Sequence, residues 1–282
     1  REAGHDVDLL TEDDVIAGRL AGHESCIFAG EWVQRRAVKA LDEWVTAGGT
    51  LFACGGLGHR NEFDETEGSM LALLGLKNAA TTRTLIAPRT LLELPLAEPI
   101  GQIVTGDAAV PFFGLRQNLE PSTATVLHRW KEGQPAVTRQ KHGKGSAVAV
   151  GGLPGMAWMR SGLKPIPYAR GGRGTFYFPA DYDPRARDLA LLGVKDTSGT
   201  FAASAGTGVE TLVLDSKAGT LVTLINWRDT PAKDREVRVR LPFAPKVVRD
   251  ITTGKELKAT YADGVATFRV EVSDATFVTL SR

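Results

Sequence analysis

Residues Ser25–Cys54, SCIFAGEWVQRRAVKALDEWVTAGGTLFAC, set the expected architecture. The two ends, Ser25–Ala29 and Thr50–Cys54, are short apolar runs of the kind that parallel strands covered on both faces produce. Between them Val33, Ala37, Val38, Leu41, Trp44 and Val45 recur at a 3.6-residue period with charges in between, which makes an amphipathic helix. Gly48 and Gly49 stop that helix. Next along the chain come a glycine-rich charged loop, Gly55–Glu65 (GGLGHRNEFDE), and a helix over Glu67–Leu74 closed by Gly75. The strand–helix order with short joints predicts a doubly wound parallel α/β sheet. In the other direction, Arg1–Leu10 (REAGHDVDLL) reads as a helix end, a terminating Gly4 and a strand over Asp6–Leu10. A helix end requires a helix before it. The expectation is an α/β domain incomplete at its N-terminus, with a strand and most of a helix upstream.

Beyond Lys77 the pattern loosens, and Pro88, Pro95, Pro99 and Pro111 break any long element before Pro121. Thr125–Trp130, Ala136–Gln140 and Ser146–Gly151 read as three strands joined by hairpins at Lys131–Gln134 and His142–Gly145. Residues 161–205 are rich in proline and glycine and read as an irregular connection with one short helix, Pro184–Leu192. From Glu210 the signal is β throughout, in Thr211–Asp215, Thr220–Trp227, Arg235–Leu241 and Val265–Val272. Tight turns fall at Thr253-Gly254 and Asp263-Gly264. The expected organisation is an α/β domain over 1–160, a connecting segment over 161–205 and a small antiparallel β-sandwich over 206–282.

Composition bounds the function. The chain has 282 residues, 43% hydrophobic and 24% charged, so it can bury a sizeable core. Its formal net charge is +1, which offers no bulk electrostatic footprint for nucleic acid. No apolar run approaches the ~20 residues of a membrane-spanning helix, and no signal peptide opens the sequence. Two cysteines, Cys26 and Cys54, cannot make a disulfide framework or a four-thiolate zinc site, although one bridge between them is conceivable. Both sit in apolar runs and read as small buried hydrophobes. The compartment stays open.

Cys54 closes a strand before glycines, where a nucleophile on a sharp turn could sit. Such a thiol needs a histidine to take its proton and an acid to orient that histidine. The amidotransferase pattern Gly-x-Cys-x-Gly lacks its first glycine in Phe52-Ala53-Cys54-Gly55-Gly56. The His-x-Glu pair is absent, since His128 precedes Arg129-Trp130 and His142 precedes Gly143-Lys144. The loop residues His59, Arg60, Glu62, Asp64 and Glu65 come after the carboxyl end of a strand, where open α/β sheets bind ligands. One histidine with three carboxylates could hold a divalent metal or a sugar hydroxyl, or contact another domain or subunit, so they are a candidate ligand or interface loop, against the plainer reading of solvated loop charge. Gly55, Gly56 and Gly58 do not form a dinucleotide fingerprint, and no cofactor or metal is expected. The stretch Gly171–Gly174, beside Arg170, Phe176, Tyr177 and Phe178, is too short a patch to indicate RNA. Trp130, Trp158 and Trp227 could stack on sugars but read first as core. Glu31 is placed like a barrel-end catalytic residue, yet there are too few βα units for an eight-fold barrel. No carboxylate pair of a glycosidase is nominated.

Trp44–Glu65 (WVTAGGTLFACGGLGHRNEFDE) resembles the helix–Gly-Gly–strand–loop signature of the β-galactosidase trimerisation domain, the amidotransferase-like middle domain of glycoside hydrolase family 42. Pro135–Trp158 (PAVTRQKHGKGSAVAVGGLPGMAW) is similar to that domain's closing hairpin. Thr220–Pro231 (TLVTLINWRDTP) and Val248–Leu257 (VRDITTGKEL) resemble the small β domain that ends such enzymes. The resemblance implies that catalytic residues lie in an N-terminal barrel outside this chain. It also implies that the middle domain keeps a flavodoxin-like, amidotransferase-like fold without a triad, builds a homo-oligomer and walls the active site of a neighbouring subunit that acts on carbohydrate. Two other functions stay in view, a cysteine hydrolase using Cys54 and a carbohydrate-binding module in the β domain.

Overall fold

A computed structural model describes residues 5, 7–83, 98–165, 177–179, 182–194, 202–206, 208–228 and 230–282. The chain begins with α1 (Glu12–Ile16), β1 (Ser25–Ala29), α2 (Arg35–Ala47), β2 (Thr50–Cys54), α3 (Gly68–Leu73) and β3 (Leu76–Arg83). Then come β4 (Gly101–Thr105), β5 (Ala108–Phe112), β6 (Leu115–Pro121), β7 (Thr125–Arg129), β8 (Pro135–His142) and β9 (Gly145–Val150). The next stretch holds α4 (Pro154–Gly162), β10 (Leu163–Pro165), β11 (Tyr177–Pro179) and α5 (Pro184–Leu191). The remainder is β12 (Ala202–Ser204), β13 (Val209–Ser216), β14 (Gly219–Asn226), β15 (Ala232–Arg240), β16 (Val248–Asp250), β17 (Lys255–Glu256), β18 (Ala259–Ala262), β19 (Val265–Val272) and β20 (Ala275–Ser281). The described chain is therefore mostly β, in several small sheets with few helices.

The first sheet runs β1-β2-β9-β8-β7. β1, β2 and β9 are parallel, while β8 and β7 return antiparallel. Every residue of β2 is buried. Alternation along it sends Leu51 and Ala53 to one face and Phe52 and Cys54 to the other. Leu51 and Ala53 share an apolar cluster with Ala147, Ala149 and the Ala37, Val38, Leu41 and Val45 stripe of α2. Phe52 and Cys54 join Val148 and Val150 with Ala157 of α4 and Ala186 and Leu189 of α5. Helices thus cover both faces of the central strands. α2 ends at Gly48, whose φ of 130° suits glycine, and a side chain at Gly49 would run into the Trp44 ring.

The strand expected over Asp6–Leu10 is not formed in its described part. Val7–Leu10 join no sheet, and Leu9 is 94% exposed. The chain enters α1 directly after them, through a capping box in which Thr11 Oγ1 accepts from Asp14 N–H and Asp14 Oδ2 accepts from Thr11 N–H. The loosened stretch before Pro121 contains β structure, with β3 antiparallel to β6 and β4 to β5. Pro111 lies inside β5 and Pro121 ends β6. Residues 84–97, with Pro88 and Pro95, lie outside the described residues, as does the Arg170–Phe176 patch. Cys26 and Cys54 are both free. Cys26 pairs with Leu51, three positions before Cys54, a strand distance of about 10 Å that no disulfide spans.

The last part contains two antiparallel sheets, β12-β15-β19-β18 and β13-β14-β20-β16-β17. Val222, Leu224, Val278 and Leu280 of one meet Val237, Val239, Ala266 and Phe268 of the other in a single apolar cluster.

Candidate functional site

The candidate loop leaves the carboxyl end of β2. Gly55, Gly56, Leu57 and Gly58 all have positive φ. Leu57 has φ 61° and is fully buried, so core burial offsets an unfavourable backbone conformation. Gly56 lies against the backbone leaving β1, where an added Cβ would stand 2.7 Å from Glu31 Cα. This close approach docks the loop on Gly30–Val33. Gly58 N–H donates to Gly30 O, Arg60 N–H to Glu31 O and Val33 N–H to Arg60 O.

The docking divides the candidate residues into two groups. His59 turns inward, with Nδ1 2.8 Å from Gly56 O and Nε2 3.6 Å from Glu31 Oε1. Glu31, only 12% exposed at its side chain, also pairs with Arg83. Gln117, fully buried, donates from Nε2 to Thr81 Oγ1 at 3.0 Å and to Gly56 O at 3.4 Å. Glu31, Arg83, Thr81 and Gln117 belong to this inner group, and the sequence nominated only Glu31. β3 and β6 deliver the other three from distant positions that no local spacing marks.

Arg60, Glu62, Asp64 and Glu65 form the outer group. Asn61 is buried and organises it. Its Oδ1 accepts from Phe63 N–H and Glu65 N–H, and its Nδ2 donates to Glu65 Oε2. Asp64 Oδ1 accepts from Trp32 Nε1 at 3.0 Å, and Arg60 lies 3.4 Å from the same oxygen. Glu65 pairs with Arg35. The N-cap residue of α2, Gln34, makes no side-chain cap, so two carboxylates from elsewhere serve that helix end. Glu62 accepts from Arg35 N–H at 3.1 Å, and Glu12 accepts from Gln34 N–H at 3.0 Å. Backbone N–H groups, its own and that of Arg35, hold the Glu62 carboxyl below its ordinary pKa. Trp32 and Phe63 remain exposed above this rigid loop.

Every acidic residue of the loop is thus engaged by its own chain. Cys54 stands apart, in the apolar cluster on the α4–α5 side, and burial pushes its thiol up to about 11. His59 faces Glu31 and Gly56, so the thiol has no assembled trio. No group of three or more potential metal ligands occurs among the described residues, and no described helix is long and apolar enough to cross a membrane. Trp130 is core, its Nε1 donating to Gln117 O, and Trp158 stacks on Tyr182. Trp227 differs from its core expectation and is exposed, with Nε1 bonded to Glu210.

No protein-family profile matches this sequence, and no curated protein does. Solved structures do resemble it in fold. Gan42B, a GH42 beta-galactosidase from G. stearothermophilus, aligns with 100% of this chain at TM-score 0.64 and 18% identity. The beta-galactosidase from Bacillus circulans sp. alkalophilus aligns with 94% at TM-score 0.56 and 17% identity. The alpha-L-fucosidase isoenzyme 2 from Paenibacillus thiaminolyticus aligns with 93% at TM-score 0.57 and 13% identity. The chain spans 34% of each of those two beta-galactosidase chains and 41% of the fucosidase. Its fold is GH42-like from end to end.

Proposed function

We propose that this chain is a non-catalytic region of a β-galactosidase-like glycoside hydrolase, serving oligomer assembly and walling of an active site formed elsewhere. The observation that carries the proposal is the whole-chain fold likeness to about a third of each GH42 beta-galactosidase. On this reading residues 1–160 are the trimerisation domain, with an amidotransferase-like, flavodoxin-like winding, residues 161–205 a connection, and residues 206–282 the closing β domain. The catalytic carboxylates belong to an N-terminal barrel, the assembly is homo-oligomeric and the substrate is a carbohydrate. The loop His59–Glu65, rigid and topped by Trp32 and Phe63, is the part offered to the neighbouring subunit.

Two features support the reading. The outer edge of β1 pairs with no described strand, and Ile27 on it is 56% exposed. Parallel sheets are ordinarily covered on both faces, so further polypeptide fits over the exposed face at Ile27. The cysteine-hydrolase alternative is disfavoured, because a thiol raised to about 11 carries almost no thiolate near neutrality. The test is to express the complete open reading frame and compare it with this chain. A barrel bearing two glutamates at strand ends, with galactosidase activity only in the longer protein, is the expected result. A different upstream domain overturns the proposal.

A further inference from the structure

The sandwich of the last part carries a groove that the assembly role does not use. Two cavities, of about 590 and 580 Å³, lie on either side of one ion pair, Arg269–Asp234, and both are lined by those two residues. The pair is built by a defect in the sheet. Between Ala232↔Val272 and Arg235↔Val270 the register of β15 gains one residue against β19. At this bulge Asp234 takes φ 50°, an uncommon conformation for a residue with a side chain. The bulge aims Asp234 at Arg269, which donates from Nη1 to Asp234 Oδ2 at 2.6 Å and to Asp234 O at 3.0 Å. Bulges that re-aim a side chain, and strained residues held in place, concentrate at binding sites.

The two cavities differ in chemistry. Among the described residues the first is lined by five basic side chains, Arg228, Lys233, Arg235, Arg238 and Arg269, and two acidic ones, Asp234 and Glu236. Arg269 is held by Asp234 and Glu236, and Arg228 and Arg235 have partners of their own, so the positive charge offered to a ligand is that of Lys233 and Arg238. Among the described residues Lys233 and Arg238 make no side-chain hydrogen bond or ion pair, and both are exposed. The second cavity is hydroxyl-rich, lined by Thr252, Thr253, Ser273 and Thr276 beside Lys255 and Glu271. The Asp250 carboxylate there is already satisfied by Thr252 and Thr253.

We propose that this groove binds an acidic oligosaccharide, its oxyanion held in the cavity of Lys233 and Arg238 and a neighbouring sugar unit lying over the threonine-lined cavity beyond Arg269. Oxyanions favour arginine and lysine donors, and hydroxyl-bearing rings favour small polar side chains that both donate and accept. The oxyanion is a uronate carboxylate or a sulfate ester, and the chemistry is shared. The inference does not rest on the assembly reading.

The test titrates the 282-residue chain by calorimetry with four probes: tetragalacturonate, a sulfated galactan tetrasaccharide, neutral galactotetraose and a single-stranded oligonucleotide. At least one acidic saccharide is expected to bind about tenfold or more tighter than the neutral one. Affinity for it should fall as salt rises. The double variant Lys233→Gln, Arg238→Gln should erase that preference while leaving the melting temperature unchanged, since neither side chain has a partner to lose. Whichever acidic probe binds identifies the oxyanion. Equal binding of neutral and acidic saccharides, an unchanged preference in the double variant, or an oligonucleotide that binds as tightly as the best saccharide would overturn the proposal. Should the variant fold poorly, the salt dependence of the unaltered chain decides alone, and its absence overturns the proposal.

Discussion

The Cys54 thiol sits among Phe52, Val148 and Val150, and desolvation rather than any charged neighbour sets its behaviour. Both thiols have pKa values raised from 9.0 to about 11. In the unfolded chain they lose protons near pH 9, while the folded chain holds them until about pH 11. The native state therefore binds more protons in that window, and stability falls as pH rises from 9 to 11. Denaturant melts at pH 8 and 10 check this, and a Cys26→Ala, Cys54→Ala variant should show a shallower decline. Iodoacetamide should modify Cys54 far more slowly than a free thiol at pH 8. A second expectation concerns Gly56. With φ 125° and Glu31 Cα 2.7 Å from a built Cβ, Gly56→Ala should cost about 2 kcal/mol or more in equilibrium unfolding.

Among the elements, α2 is the clearest case of a helix that depends on its surroundings. Its apolar stripe is buried against β2, so Leu41→Ala should lose roughly 2–5 kcal/mol, measured by urea denaturation. Its N-terminus is capped by Glu12 and Glu62 from other segments. Glu62→Gln should lower the melting temperature at pH 7. The difference from the parent should vanish in acid, because the lowered Glu62 pKa makes its contribution present at neutral pH and lost on protonation. β2 was legible in the sequence because burial on both faces leaves an apolar run before glycines, and α2 because its one buried stripe recurs at the helical period, while β1 is an apolar run whose residues stay partly or fully exposed. β3 was not, since only Leu76 and Ala79 of its eight residues are buried and the strand shows no alternation. Asp6–Leu10 misled for the opposite reason, its apolar residues finding no sheet to join. The candidate loop was legible as a position after a strand, but its partners were not. Trp32 and Arg35 precede it on another segment, and Gln117 and Arg83 arrive from β6 and β3. The close contact at Gly56 and the backbone hydrogen bonds beside it bring them together.

In the molecule as a whole, a parallel core with an apolar cluster on each face is followed by a β sandwich with a cluster of its own, and the first strand of the core has an outer edge that pairs with no described strand. Every charged residue of the loop beside that core is bonded to its own chain, which suits a contact surface held in one shape. If Trp32 and Phe63 face a neighbouring subunit, Trp32→Ala with Phe63→Ala should leave the fold intact and shift the assembled protein toward smaller species by light scattering. The proposed function requires, above all, a chain without catalytic machinery of its own. Hydrolysis of an aryl β-galactoside by the purified 282-residue chain measures this directly. The expected rate is no higher than that of buffer and is unchanged by Glu31→Gln or Cys54→Ala. Turnover that either substitution abolishes would contradict the proposal.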